Sequence, residues 1–354
     1  MQYDDKALNK YKRMIGPSNK ALKSQINKRL KHFSGLSFYK LGVLEDVIVK
    51  ICCIKDDLNP SIYSRYAYVF AGDHAFTDVI PDKYFGERTI DAVLNIIDKI
   101  SPLNIFANME NFKIKVIDVG MFEDVEADTS DCVDRKFACG TLNWTKERAL
   151  SRAEAIKTIV GSLELIVEEN SRYSPHIISL GDAGAGNEIS SAMILSKLIG
   201  GDIFEILGIT EDIDTKDGKE LSELIKSADQ FYEPVSTDYD ILDIFSYFGG
   251  FEAAAIIGAI MGAALVKLPV VIDGFTGLVS AYIASKLVPE ILDYVIIGNQ
   301  SSIPGSKVIV DELALKPVLS IGMELKEGSG AVLSTHLIEA AFRCYNETGV
   351  ESIG

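Results

Sequence analysis

Ile177-Ile-Ser-Leu-Gly-Asp-Ala-Gly-Ala-Gly-Asn-Glu-Ile-Ser-Ser-Ala-Met-Ile-Leu195 is the stretch whose reading decides the fold. Residues 177–180 are a short apolar run, Gly181 to Asn187 form a glycine-rich turn, and residues 189–195 read as a helix. Strand, turn and helix in that order point to a parallel sheet. A glycine-rich turn that opens a helix offers backbone N–H groups suited to a phosphate, here with Asp182 beside them. No Lys-Ser/Thr follows, so the turn is not a Walker A loop, and its glycines miss the G-x-G-x-x-G spacing.

The same alternation runs outward in both directions. Strands are predicted at 64–71, 114–119, 203–209, 269–273, 294–297 and 318–322. Helices are predicted over 89–100, 152–169, 251–265, 278–287 and 333–345, and residues 1–55 read as helices. Residues 214–231 are polar and helical in part. Short apolar strands between helices mean a sheet covered on both faces. The expected fold is therefore α/β, a Rossmann-like, mostly parallel sheet. Residues 61–330 form the large domain, and residues 1–60 with 331–354 form a smaller helical lobe. Asp73, Gly120, Asp182, Asp273, Ser301 and Glu327 all fall just after predicted strand ends, where open α/β sheets bind ligands.

A second glycine turn, Glu327-Gly-Ser-Gly330, also opens a helix and places a carboxylate directly before it. Glu327 is positioned to take a proton from a group reacting near a bound phosphate.

Composition narrows the function classes. The 354 residues are 47% hydrophobic and 24% charged, ordinary for a globular chain, and the formal net charge of −16 excludes the basic footprint of a nucleic-acid binder. The lysines and arginines between Lys6 and Lys31 are spaced as a solvated helix face. Five cysteines, an odd number with Cys52 and Cys53 adjacent, argue against a disulfide framework and for a reducing compartment. The four histidines are not paired with cysteines at ligand spacing, so no metal is expected. The N-terminus is polar, and Ala253–Leu265 is too short to span a membrane; a buried Ala/Gly-rich helix is expected there, and a cytoplasmic location with no membrane partner.

Several motifs together resemble one family. Gly181-Asp-Ala-Gly-Ala-Gly-Asn187 is similar to the G-E-x-G-x-x-N turn of the nicotinate-nucleotide:dimethylbenzimidazole phosphoribosyltransferases. Gly249-Gly-Phe-Glu252, Val271-Ile-Asp-Gly-Phe275, Asp134 to Asn143 and Met323 to Gly330 match further stretches. So do Leu41 to Glu45, Gly72-Asp-His74, Val116 to Gly120 and Ser301 to Gly305. They run in family order over about residues 36–347. The resemblance implies transfer of ribose phosphate from nicotinate mononucleotide to a lower-ligand base of a cobamide, giving an α-riboside phosphate and nicotinate, with no cofactor. It implies Glu327 as general base, Asp182 at a position where the family has Glu, and Asp273 near the ribose. Gly184, Gly186, Asn187, Ser301, Gly328, Ser329 and Gly330 fall on the phosphate side, and Leu325 joins them at the substrate.

The departures lie at the base end. Ile80 takes the place of a family Ser and Arg88 that of a family Gln, both azole-binding; Ala183 replaces a larger apolar residue. Leu224 stands where a phosphate lysine is expected, with Lys219 and Lys226 as substitutes. Three readings follow: an enzyme for a phenolic base, alone or beside a paralogue; a homodimer acting on dimethylbenzimidazole or another azole; or a catalytically weak partner subunit.

Overall fold

The computed structural model describes residues 3–35, 40–109, 111–125, 132–232 and 240–347, with the side chains of 32–35 and 231 excepted. The chain begins with α1 (Asp5–Met14), α2 (Lys23–Gly35) and α3 (Val43–Lys55). The sheet then starts with β1 (Arg65–Gly72). Next come α4 (Thr89–Ile97), α5 (Pro102–Met109), β2 (Lys113–Gly120), β3 (Cys132–Asp134) and α6 (Arg152–Tyr173). β4 (Ile177–Ala183), α7 (Asn187–Ile199), α8 (Ile203–Leu207), α9 (Lys216–Phe231), α10 (Ile241–Phe248) and α11 (Phe251–Leu265) follow. The chain closes with β5 (Val270–Ile272), α12 (Gly274–Leu287), β6 (Val295–Ile297), α13 (Pro304–Leu313) and α14 (Ser329–Glu347).

Among the described residues, six strands form one all-parallel sheet in the order β3-β2-β1-β4-β5-β6. This is the doubly wound order, and its direction reverses between β1 and β4, where such sheets open a crevice at their carboxyl ends. The period of two along β1 separates the two faces. Tyr66, Tyr68 and Phe70 enter a core with α6, α7, α11 and α12, while Ala67, Val69 and Ala71 face α4 and α5. Val271 and Ile296 enter the core shared by α2, α3 and α14.

α11 is the buried Ala/Gly helix expected from sequence; every residue from Phe251 to Ala264 is buried. No described helix is long and apolar enough to cross a membrane. α11 lies directly on α6 because Gly258 and Gly262 have no side chain to hold them apart. A Cβ at Gly258 would stand 2.1 Å from the Ile159 carbonyl oxygen, and one at Gly262 would stand 2.6 Å from that of Leu163.

Two expectations are corrected. Residues 203–209 are not a strand but the short helix α8: the Asp202 carboxylate accepts from the N–H groups of Phe204 and Glu205, and Gly208 ends the helix at φ +75°. Residues 318–322 contribute a single bridge, Leu319 to Asn299, rather than a strand. Cys52 and Cys53 lie in α3, and the five cysteines form no disulfide.

Gly258→Ala should cost about 1–3 kcal/mol, because the new methyl must push two packed helices apart. A chemical-denaturation midpoint equal to wild type would show that α6 and α11 can separate without loss.

Candidate active site

The site begins with a backbone contact. A Cβ on Gly181, in β4, would stand 2.2 Å from the Glu327 carbonyl oxygen and 2.4 Å from the Gly328 nitrogen. Only a glycine lets the turn before α14 lie against the strand. The turn itself is left-handed, with φ +65° at Glu327 and +83° at Gly328. Glycine accepts that conformation freely, whereas for glutamate it costs about 1–2 kcal/mol.

Asp273 locks the arrangement. It is the N-cap of α12 and is 2% exposed. One carboxylate oxygen accepts from the Gly274 N–H (2.8 Å) and from Asn299 Nδ2 (3.3 Å); the other accepts from the Gly330 N–H at 2.6 Å. One side chain thus ties the starts of α12 and α14 to the loop after β6. Burial pushes its carboxyl up to about 6, against the pull of those hydrogen bonds.

Two more acids stand beside it. Burial pushes Glu327 up to about 7; a hydrogen bond from Ser101 opposes the shift and the charge of Glu87 adds to it. Its Oε2 is buried without a hydrogen-bond partner. A carboxylate titrating near neutrality with one free oxygen is matched to accepting a proton. Asp182, half-buried at the end of β4, is pushed to about 7 by burial and by the charges of Glu252 and Glu188. Asn187 Nδ2 donates to its Oδ2.

Behind Asp182 lies a pair with no role assigned from sequence. His74 and Glu252 are 0% and 1% exposed, with Nε2 and Oε1 2.9 Å apart. Burial disfavours the imidazolium, yet the Glu252 carboxylate outweighs it and raises the His74 pKa. Both residues sit in motifs quoted above, Gly72-Asp-His74 and Gly249 to Glu252, but only contact across 178 residues gives them meaning.

A cavity of about 400 Å³ gathers the site. Asp182, Asn187, Asp273, Ser301, Leu325, Glu327 and Gly328 line it, so seven of the residues singled out from sequence come together. Others do not reach it. Gly184 packs on the Gly72 carbonyl, and Gly186 against Phe76 and Thr77. The turn's N–H groups have internal acceptors: Ala185 donates to Thr89 Oγ1, Gly186 to Phe85 O and Asn187 to Gly184 O. Ser329 is fully buried and the Gly330 N–H is held by Asp273. Ala183 belongs to the core under α4 and α5. Ile80 is buried in the main core, and Arg88 points outward to Glu123 and Asp91. Leu224 packs on the main core, and neither Lys219 nor Lys226 lines the cavity.

The remaining wall went unread. The first turn of α12, at Phe275 and Thr276, lines the cavity with amides that have no helical acceptor. The helix was expected to begin only at residue 278, although Asp273-Gly274 is a capping signal. Lys326, Glu188, Met323 and Glu324 also line the cavity. Among the described residues, no group of three or more His, Cys, Asp or Glu is placed to hold a metal ion.

Comparison with known proteins identifies the class as a phosphoribosyltransferase. A family model described as "Phosphoribosyltransferase" matches residues 15–352. The chain is 33% identical over 309 residues to a nicotinate-nucleotide–dimethylbenzimidazole phosphoribosyltransferase of Ruminiclostridium cellulolyticum, covering 87% of this chain and 86% of that one. It is 29% identical over 341 residues to the enzyme of the same name from Clostridium acetobutylicum, covering 96% and 95%. The crystal structure of CobT from Thermus thermophilus superposes with a TM-score of 0.80 at 24% identity, over 91% of this chain and 95% of that one, which speaks for the fold. The chain belongs to the nicotinate-nucleotide:base phosphoribosyltransferase family and is an enzyme, a pentosyltransferase.

The raised acids carry a stability signature. Between their ordinary range near 4 and about 7, the folded protein binds more protons at Asp182 and Glu327 than the unfolded chain does. Stability of the free protein should therefore fall as pH rises through that window. Glu327→Gln and Asp182→Asn should each flatten the fall and raise Tm at pH 8. Mutants with the wild-type dependence of Tm on pH would place these carboxyls in contact with solvent.

Proposed function

We propose that this enzyme moves ribose phosphate from nicotinate mononucleotide to an aromatic cobamide lower-ligand base, with Glu327 as general base. The observation that carries this reading is the Glu327 carboxyl: held in a left-handed turn, titrating near 7, with Oε2 unpartnered beside the cavity. The base attacks the anomeric carbon as the bond to the pyridinium nitrogen breaks, and that electron pair leaves with nicotinate. The nucleophile's proton passes to Glu327. Nicotinate leaves with a neutral ring nitrogen, so the leaving group needs no acid. Asp182 and Asp273 face the positive charge that grows on the ribose. The phosphate lies at the helix N-termini around the cavity, supported by the first-turn amides of α12 and by Ser301.

A phenolic base fits better than an azole. Ile80 and Ala183 are spent in cores and Arg88 is tied to Glu123, so none of these positions supplies a hydrogen bond to a second ring nitrogen. Burying that nitrogen unpaired costs about 1–3 kcal/mol. A phenol has one hydroxyl, and Glu327 deprotonates it. The alternatives, a homodimeric azole enzyme or a weak subunit of a heterodimer, differ in what a second chain provides.

Association with a second family chain is part of the same proposal, with residues 1–60 and 331–354 acting as the smaller lobe. The apolar faces of α3 and α14 do not supply the interface, because Val47, Ile51, Ala341 and Phe342 are spent in one core with the sheet. Better support comes from exposed Leu94, Ile100, Ile105 and Met109 on and between α4 and α5, with Ser101 among them beside Glu327. A monomeric mass, alone and with a paralogue, would remove this part.

Glu327→Gln should fold and lose turnover by about a hundredfold or more. Wild-type kcat/KM should rise with pH to a plateau above about 7, because the base acts ionised. p-Cresol should be used more efficiently than dimethylbenzimidazole by roughly ten- to a hundredfold. Equal or better use of dimethylbenzimidazole would overturn the phenol reading and leave the transferase reading intact; full activity in the Gln variant would move the base elsewhere.

A further inference from the structure

We infer that Lys326 is the residue that recognises the phosphate of the donor nucleotide, so this chain carries its phosphate-binding cation on the same segment as the proton acceptor. The inference rests on the reading of the cavity given above and adds to it a residue that selects nucleotide over nucleoside.

Charge makes the requirement. Asp182, Glu188, Asp273, Glu324 and Glu327 all line the cavity, and among the described residues that line it Lys326 is the one cation. The chain as a whole stands at −16. A phosphate dianion entering such a site needs a compensating positive group close by. The backbone supplies less than the glycine turns suggest. Three N–H groups of the Gly184–Asn187 turn have acceptors within the protein, and the Gly330 amide at the start of α14 is held by Asp273.

The ammonium belongs to the cavity wall and is only loosely held. Its Nζ lies 4.0 Å from Glu188 Oε1, in the first turn of α7, at the outer limit of an ion pair. A Cβ built on Gly86 would stand 3.2 Å from it, so the side chain reaches across from the start of α14 toward the loop before α4. Half of the side chain is exposed, and the long contact to Glu188 is one that a phosphate oxygen can replace with a shorter, charge-assisted bond. Asp182 and Glu327 both feel its charge, which places it within electrostatic reach of both sides of the site. Among the described residues no other lysine lines the cavity: those on α9 do not, and Lys83 is engaged with Asp212 and Asp217.

The test compares nicotinate mononucleotide with nicotinate riboside, which lacks the phosphate, by calorimetry on wild type, Lys326→Ala and Lys326→Arg, each checked for wild-type circular dichroism. Wild type should bind the nucleotide at least about tenfold more tightly than the nucleoside. Lys326→Ala should shrink that ratio by about tenfold through weaker nucleotide binding at unchanged nucleoside binding, and Lys326→Arg should keep most of it. A wild-type ratio in Lys326→Ala would overturn the inference and leave the transferase reading standing. A wild type that binds neither compound and forms no riboside product would instead overturn that reading, and the inference with it.

Discussion

The contact of Gly181 against Glu327 and Gly328 is the constraint on which the site depends. It joins β4 to a turn nearly 150 residues later with no side chain between the two backbones. Through it the acid at the end of β4, Asp182, and the acid before α14, Glu327, keep a fixed separation. Asp273 then holds the start of α14 by the Gly330 amide and the start of α12 by the Gly274 amide. Two glycines and the buried Asp273 carboxylate thus set the geometry of the three acids. The helix α14 ends this network and also fills the core with α3, so the site is braced by the packing of the N-terminal helices on the sheet.

Much of this was legible in sequence, for reasons that differ by element. β1, β2, β4, β5 and β6 are short apolar runs ending in glycine or aspartate, and a strand buried on both faces must look like that. The glycine turns were legible as turns, and Asp182, Asp273 and Glu327 as acids at strand ends. What failed was the inference from a turn to free amides. Whether the N–H of Ala185 or Gly186 is available depends on Thr89 and on Phe85, about a hundred residues away. No local pattern carries that information.

The helix α8 shows a different failure. Ile203-Phe-Glu-Ile-Leu207 is apolar enough to pass for a strand, and five residues are too few to separate the two periods. The deciding signals flank it: Asp202 caps the first turn and Gly208 closes the last. β3 was missed because an edge strand of three residues pairs on one side only and needs no continuous apolar run. Ile80 and Arg88 were placed by counting along the chain, which fixes order but not direction. Ile80 turns into the core, and the Arg88 guanidinium turns to Glu123 at the surface.

The raised acids and the reaction explain each other. In the free protein, burial keeps Asp182, Asp273 and Glu327 partly protonated, at about 7, 6 and 7. Full ionisation of all three would place like charges together in a confined space, which is costly. A donor with a cationic ring changes that balance, because its positive charge favours the ionised form of every acid near it. The charge then moves from the ring nitrogen toward the anomeric carbon as the bond breaks. In the proposed reaction, carboxylates beside the ribose would interact more strongly with the transition state than with the ground state, which is the condition for acceleration rather than mere binding. Asp273 is tied by three hydrogen bonds and Asp182 accepts from Asn187 at one oxygen, whereas Glu327 holds Oε2 buried and unpartnered. In the proposed reaction, the buried and unpartnered Oε2 of Glu327 beside the cavity is the oxygen that would receive the proton.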